Sequence, residues 1–231
     1  MPILTPTAAT GARSRAMEST YVDPARQVTP RELEELLAGT GLNGPFVADL
    51  LSDVLAHERA GAQLYRSVAN RSHNPVLKKQ YEHFGKETLE HVEIVERLIE
   101  RLGGDPGYVS PSARATTKAG TGLLESTFLL AGSVDLMTQE LVMLDAVLLA
   151  EAKDHANWSC LSQLVESLPE GEVRDAVAEA VQQVEPQEDE HLGWATEMRC
   201  TLVSAQAKSK AVQVGGETME QLVARVQSWL D

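Results

Sequence analysis

Glu188-Asp189-Glu190-His191 repeats, one hundred residues on, the acidic, His-terminated pattern of Glu87-Thr88-Leu89-Glu90-His91. Each stretch has a lone Glu upstream of it. Glu58 stands 33 residues before His91, and Glu151 stands 40 before His191, in each case about one long helix hairpin. Seven residues after each lone Glu comes an aromatic residue, Tyr65 and Trp158. The chain therefore carries one two-part pattern twice. Carboxylates and imidazoles recurring along otherwise apolar helix faces point to a bundle built around metal ions.

The surrounding periodicity is helical. A helix predicted over 45–70 has the stripe Val47, Leu51, Val54, Glu58, Gly61, Tyr65 and Val68, in alternating steps of four and three. A second, over 74–102, carries Leu77, Tyr81, Phe84, Thr88, His91, Val95, Leu98 and Leu102, and Gly103-Gly104-Asp105-Pro106 stops it. A third covers 133–168, with Leu144, Val147, Glu151, Asp154, Trp158, Leu161 and Val165 in line. The fourth runs from the turn at Pro169-Glu170-Gly171 to about 208, through Val177, Val181, Val184, Glu188, His191, Ala195, Met198 and Leu202. Pro186 is expected to kink it just before Glu188. Strand-type alternation is essentially absent.

Short turns make two antiparallel hairpins of these four helices. A long connection with Ser110-Pro111 in a loop and a short helical piece near 121–131 joins them. The expected fold class is thus all-α: a four-helix bundle over 45–208. Residues 1–28 are rich in Thr, Ala, Ser, Pro and Arg without periodicity, and are expected to be a disordered arm. Over 29–44, Thr29-Pro30-Arg31-Glu32 predicts a capped short helix followed by a loop. Over 209–231, a Gly215-Gly216 break precedes an amphipathic helix from Glu217 to Leu230. The arm and the final helix are the candidates for assembly into a homo-oligomer.

Length and composition narrow the function. The 231 residues suit one domain with a substantial core. A net charge of -14 argues against nucleic acid as a partner, because phosphate binding needs a basic surface. Cys160 and Cys200 form neither a disulfide framework nor a Cys-x-x-Cys site, so a reducing compartment is expected and Cys160 reads as a small core residue. No apolar run approaches membrane-spanning length, and the N-terminus lacks the apolar core of a secretory signal. A cytoplasmic protein with no membrane partner is the expectation. Phosphate loops, Gly-x-Gly-x-x-Gly, His-Glu-x-x-His and the nucleophile elbow are missing from the sequence.

Glu58, Glu151, Glu188, His91 and His191 fall on stripes where Leu or Val would be expected, and an unpaired buried carboxylate is costly. Two divalent cations between the hairpins would supply the missing partners. His57 is expected at the surface or just outside the site. His73 and His83 read as solvated or capping residues, and Glu90 and Glu190 should face outward. Glu140, three turns before Glu151, is too far to ligate and should pair with a neighbouring helix. Tyr65 and Trp158 read first as bulky core filler, with a hydrogen bond from Tyr65 to a ligand carboxylate as the functional alternative.

On these residues the sequence resembles the ferritin-like superfamily over roughly 45–205. That family places a single Glu on its first and third helices and Glu-x-x-His on the second and fourth. Glu58, Glu151 and the Glu188/His191 pair match it, with His91 on the second helix. Thr88 departs from it, standing three before His91 where the family has Glu. Glu87, which flanks the stripe, is the favoured substitute ligand, ahead of Asp154; His155 stands beside Asp154 and is within possible reach. The metal set is therefore Glu58, Glu87, His91, Glu151, Asp154, Glu188 and His191. The resemblance implies two Fe ions (Mn as the alternative) and O2 or peroxide as reaction partner, in Fe(II) oxidation or peroxide consumption. Two rivals are a dimanganese catalase-like site and a degenerate, non-catalytic stress or interaction module. Two cysteines cannot build a rubredoxin-like iron site, and the terminal segments differ from those of a plain storage cage. If Glu87 contributes, Glu87→Ala weakens Fe(II) binding more than Glu90→Ala does. Equal affinities in a binding titration would count against it.

Overall fold

The computed structural model describes residues 31–129 and 134–208. Six helices occupy them, and among the described residues there is no strand: α1 (Arg31–Leu37), α2 (Gly44–Arg71), α3 (Pro75–Arg101), α4 (Pro111–Ser126), α5 (Leu136–Ser167) and α6 (Glu172–Lys208). The predicted arm, the Thr29 cap, the linker and the final amphipathic helix lie outside the described residues.

Local chemistry sets the helix starts. The side chains of Asn43, Asn74, Ser110 and Asp135 each accept a hydrogen bond from a backbone N–H in the first turn of α2, α3, α4 and α5. In α2, α3 and α4 a Pro sits in that same turn, where its missing N–H costs nothing. This corrects the expectation for the connection between hairpins. Ser110-Pro111 is not part of a loop but the start of α4, which begins ten residues before the helical piece expected near 121. α6 stays helical through Pro186.

α2 and α3 pack together across the 72–74 turn, as do α5 and α6 across 168–171. α2 also meets α5, α3 meets α6, and α4 lies along α2. The α2–α4 approach is close enough that a Cβ on Gly120 would stand 2.6 Å from Ala60 Cβ, so a side chain there would push the helices apart.

The long helices bury two separate apolar clusters. One gathers Leu51, Val54, Leu55, Val95, Leu98, Leu161, Val177 and Val184. The other gathers Leu64, Val68, Leu77, Tyr81, Phe84, Leu144, Val147, Met198 and Leu202. Between them, on the same stripes, sit Glu58, His91, Glu151 and Glu188, each at most 3% exposed. Each fully buried Leu or Val contributes about 1.5–3 kcal/mol, so the apolar clusters carry the helices and the polar layer is enclosed by them.

Glu140 fastens α5 to the α2–α3 turn. Its carboxylate accepts hydrogen bonds from the Ser72 hydroxyl and from the backbone N–H groups of His73 and Asn74, at 2.6–3.1 Å. Its expected helix partner is therefore a turn. Burial pushes its pKa up while these donors pull it back. Glu140→Ala would strand two backbone donors, at a cost of about 2–3 kcal/mol. Urea denaturation should give a lower midpoint at unchanged slope; an unaltered midpoint would refute the clamp.

Candidate metal centre

Four helices supply the polar layer: Glu58 from α2, His91 from α3, Glu151 and Asp154 from α5, and Glu188 and His191 from α6. Glu188 is at the middle. Its Oε1 lies 3.0 Å from His91 Nδ1 and 3.3 Å from His191 Nδ1. Outside it, Glu58 Oε2 stands 3.6 Å from His91 Nδ1, and Glu151 Oε2 stands 3.4 Å from His191 Nδ1. The two rings lie with centroids 5.8 Å apart and an interplanar angle of 27°. The duplicated sequence pattern is thus one site with two similar halves.

The donor atoms face one another and little else. Glu58 Oε2, His91 Nδ1, Glu151 Oε2, His191 Nδ1 and both oxygens of Glu188 are fully buried without a well-aligned hydrogen bond. Buried polar atoms of this kind are rare in folded proteins, because each forfeits its solvation. Six of them converge from four helices with both Nδ1 atoms inward, and carboxylate and imidazole are the group types that can hold a metal ion. One ligand atom each from Glu151, Glu188 and His191 lie within 4.8 Å of one another.

The aromatic residues cross between halves. Trp158, on α5, donates its indole N–H to Glu58 Oε1 on α2 at 2.9 Å. Tyr65, on α2, faces Glu151 on α5, and burial followed by that carboxylate drives its phenol pKa well above the usual value. Both residues are core filler, and Trp158 also fixes a carboxylate.

An outer layer lies behind the imidazoles. His191 Nε2 donates to Glu87 Oε2 at 3.0 Å, and His91 Nε2 donates to Gln187 Oε1 at 2.7 Å. Gln187 Nε2 in turn donates to Glu87 Oε1 at 3.3 Å. Glu87 therefore sits on the ring nitrogen turned away from the cluster, 18% exposed, rather than among the inward donors. Gln187 belongs to no motif in the sequence. Its register was the available signal, since it stands four before His191 as Glu87 stands four before His91.

Asp154 is where α5 faces the layer. It is 4% exposed with Oδ1 unpartnered, and burial, then Glu58, Glu188 and Glu151, raise its pKa well above the usual carboxylate value. His57 is buried beside it, which excludes the surface position and matches the expected alternative just outside the site. Its Nε2 donates to the Ala150 carbonyl at 3.0 Å and stands 4.0 Å from Asp154. Burial, with Lys153 nearby, lowers the His57 pKa to about 4. Thr88 is buried and spends its hydroxyl on the Phe84 carbonyl at 2.9 Å. His155 turns to Asp189 at 2.9 Å instead of the site. His73, His83, Glu90 and Glu190 are exposed, and so is Cys160, which is not a core residue.

An all-helical protein with a buried carboxylate–imidazole layer is the class these observations define. The chain belongs to the family described as "Domain of unknown function (DUF892)", which matches residues 46–208 and is ferritin-like in fold. No curated protein and no solved structure matches the chain. Among the described residues no helix is long and apolar enough to cross a membrane.

The electrostatics of the layer carry a pH signature. Burial disfavours charge on His91 and His191, but the carboxylates beside each ring outweigh it and push both pKa values to about 10. Burial raises Glu58, and raises Glu151 to about 7. A raised folded-state pKa means that the bound proton stabilises the fold. For the two imidazoles that contribution is complete below about 6.5, their ordinary value, and is lost as pH climbs through about 10. The melting temperature of metal-stripped protein should accordingly fall from pH 6.5 to 10. A flat or rising profile in scanning calorimetry would contradict these charge states.

Proposed function

We propose that this chain is a ferritin-like four-helix bundle whose polar layer holds two metal ions, iron first among the candidates, for oxidising Fe(II) or consuming O2 or peroxide. One observation carries the reading: six buried donor atoms from α2, α3, α5 and α6 meet with no aligned hydrogen-bond partners. Carboxylate-rich donor sets favour hard or borderline ions such as iron and manganese, and no thiolate takes part. Glu58 and His91 would hold one ion, Glu151 and His191 the other, with Glu188 shared. Asp154 is the further carboxylate within the layer, and Glu87 acts from behind the ring of His191.

When bound, a pair of iron ions would supply two electrons at one place for the reduction of O2 or peroxide. The protein's own part is to hold, seal and tune. Trp158 fixes one oxygen of Glu58 and leaves the other facing inward. Phe84 lies against His191, ring centroids 4.1 Å apart, and the apolar clusters on both sides keep bulk water out. Tyr65 lines a cavity of ≈ 490 Å³ between α2 and α3 while its hydroxyl faces Glu151. Protons held on His91 and His191 at neutral pH must leave when their Nδ1 lone pairs are used for a metal.

Adding Fe(II) under anaerobic conditions, or Mn(II), should raise the melting temperature and release protons into weakly buffered solution at pH 7. Glu151→Ala or His191→Ala should keep the helical circular-dichroism spectrum and lose most of the metal. Elemental analysis beside wild type checks it. Equal metal in all three proteins, or no thermal shift in wild type, would refute the site. Oxygen uptake with Fe(II) supports the iron reading, and O2 release from peroxide by the Mn(II) form supports the catalase-like one.

A further inference from the structure

The two halves of the layer are alike in their inward donors and unlike behind the rings. Glu87 and Gln187 hold equivalent positions, four residues before His91 and His191, and each crosses to the imidazole of the other half. The cross-links form one chain. His191 donates to Glu87, Gln187 donates to Glu87, and His91 donates to the Gln187 carbonyl, at 3.0, 3.3 and 2.7 Å. Glu87 therefore orients Gln187, and through it His91, as well as holding His191 directly. Both Nε2 atoms are committed outward, which leaves both Nδ1 atoms for the interior.

The two acceptors differ by a charge. A carboxylate behind an imidazole makes the ring a stronger metal ligand than a neutral amide carbonyl does, since it supports the positive charge that the ring acquires on coordination. Two inward features point to the same side, each a smaller influence than the charge behind the ring. Glu151, Glu188 and His191 already bring ligand atoms within 4.8 Å of one another. On the other side Trp158 occupies one oxygen of Glu58.

We propose that the two metal positions are unequal by construction: the Glu151–Glu188–His191 position fills first, the Glu58–His91 position second, and Glu87 is the positioning residue that sets this order. The proposal rests on the metal-site reading above and adds the ranking and its cause. The cause can be moved. Exchanging the two outer residues, as Glu87→Gln with Gln187→Glu, keeps every side-chain type at the interface and puts the carboxylate behind His91.

The test is calorimetric titration of metal-stripped protein with Co(II), chosen because it is stable in air and reports ligand geometry in its visible spectrum. Wild type should show two steps separated by about 10–100-fold in affinity, the usual effect of an outer carboxylate. His191→Ala should remove the tighter step and His91→Ala the weaker. Glu87→Gln should weaken the tighter step by about 10–100-fold and bring the two together. In the exchanged protein the assignment should invert, so that adding His91→Ala now removes the tighter step. Two equal steps in wild type, an unmoved tighter step in Glu87→Gln, or an exchanged protein that still depends on His191 for it would each overturn the ranking. Wild type that takes up no Co(II) would overturn the metal-site reading itself, and the ranking with it.

Discussion

The Glu188 carboxylate, wedged between one imidazole from each hairpin at 3.0 and 3.3 Å, is the contact on which the rest of the structure turns. A buried anion is tolerated only with opposite charge beside it. Here the partners come from α3 and from α6 itself, so the carboxylate ties the first hairpin to the second. Burial opposes its charge, yet the two histidines outweigh that and hold its pKa below the usual range. The same histidines pair outward with Glu58 and Glu151. The polar layer is thus a network of opposite charges built across the helices, enclosed by apolar clusters that supply the stability it does not.

Such a layer is a poor way to stabilise a fold. Replacing buried ion pairs with well-packed apolar residues is often neutral or stabilising, and six donor atoms lack aligned hydrogen bonds. The cost is coherent if the layer serves a ligand. The cross-over of side chains between halves points the same way, because it fixes the donors from both sides. Trp158 reaches from α5 to Glu58, Tyr65 faces from α2 toward Glu151, and Glu87 and Gln187 exchange histidines.

The four long helices and the inward residues were legible because they follow from a single periodicity. Glu58, His91, Glu151, Glu188 and His191 stand on stripes in steps of three and four, and helix geometry brings such stripes to one face. What the stripe could not tell was direction within a ring or across a gap. Glu87 lies next to Thr88, off the line, and only the three-dimensional packing reveals that it meets the far nitrogen of His191. Gln187 is neutral and unremarkable in composition, so its part emerges only with its partners. His57 neighbours the stripe, which leaves a surface and an outer-layer position equally open, and the cover of α5 selects the second. Ser110-Pro111 signals a loop and a capped helix equally well, and its contact with Ser52 and Asp49 of α2 selects the helix.

An anomalous-scattering map from crystals grown with Fe(II) or Mn(II) tests the account most directly. Two peaks should lie within coordination distance of Glu188, one beside His91 Nδ1 and one beside His191 Nδ1. Peaks only at surface carboxylates, or none with the helices in place, would contradict it.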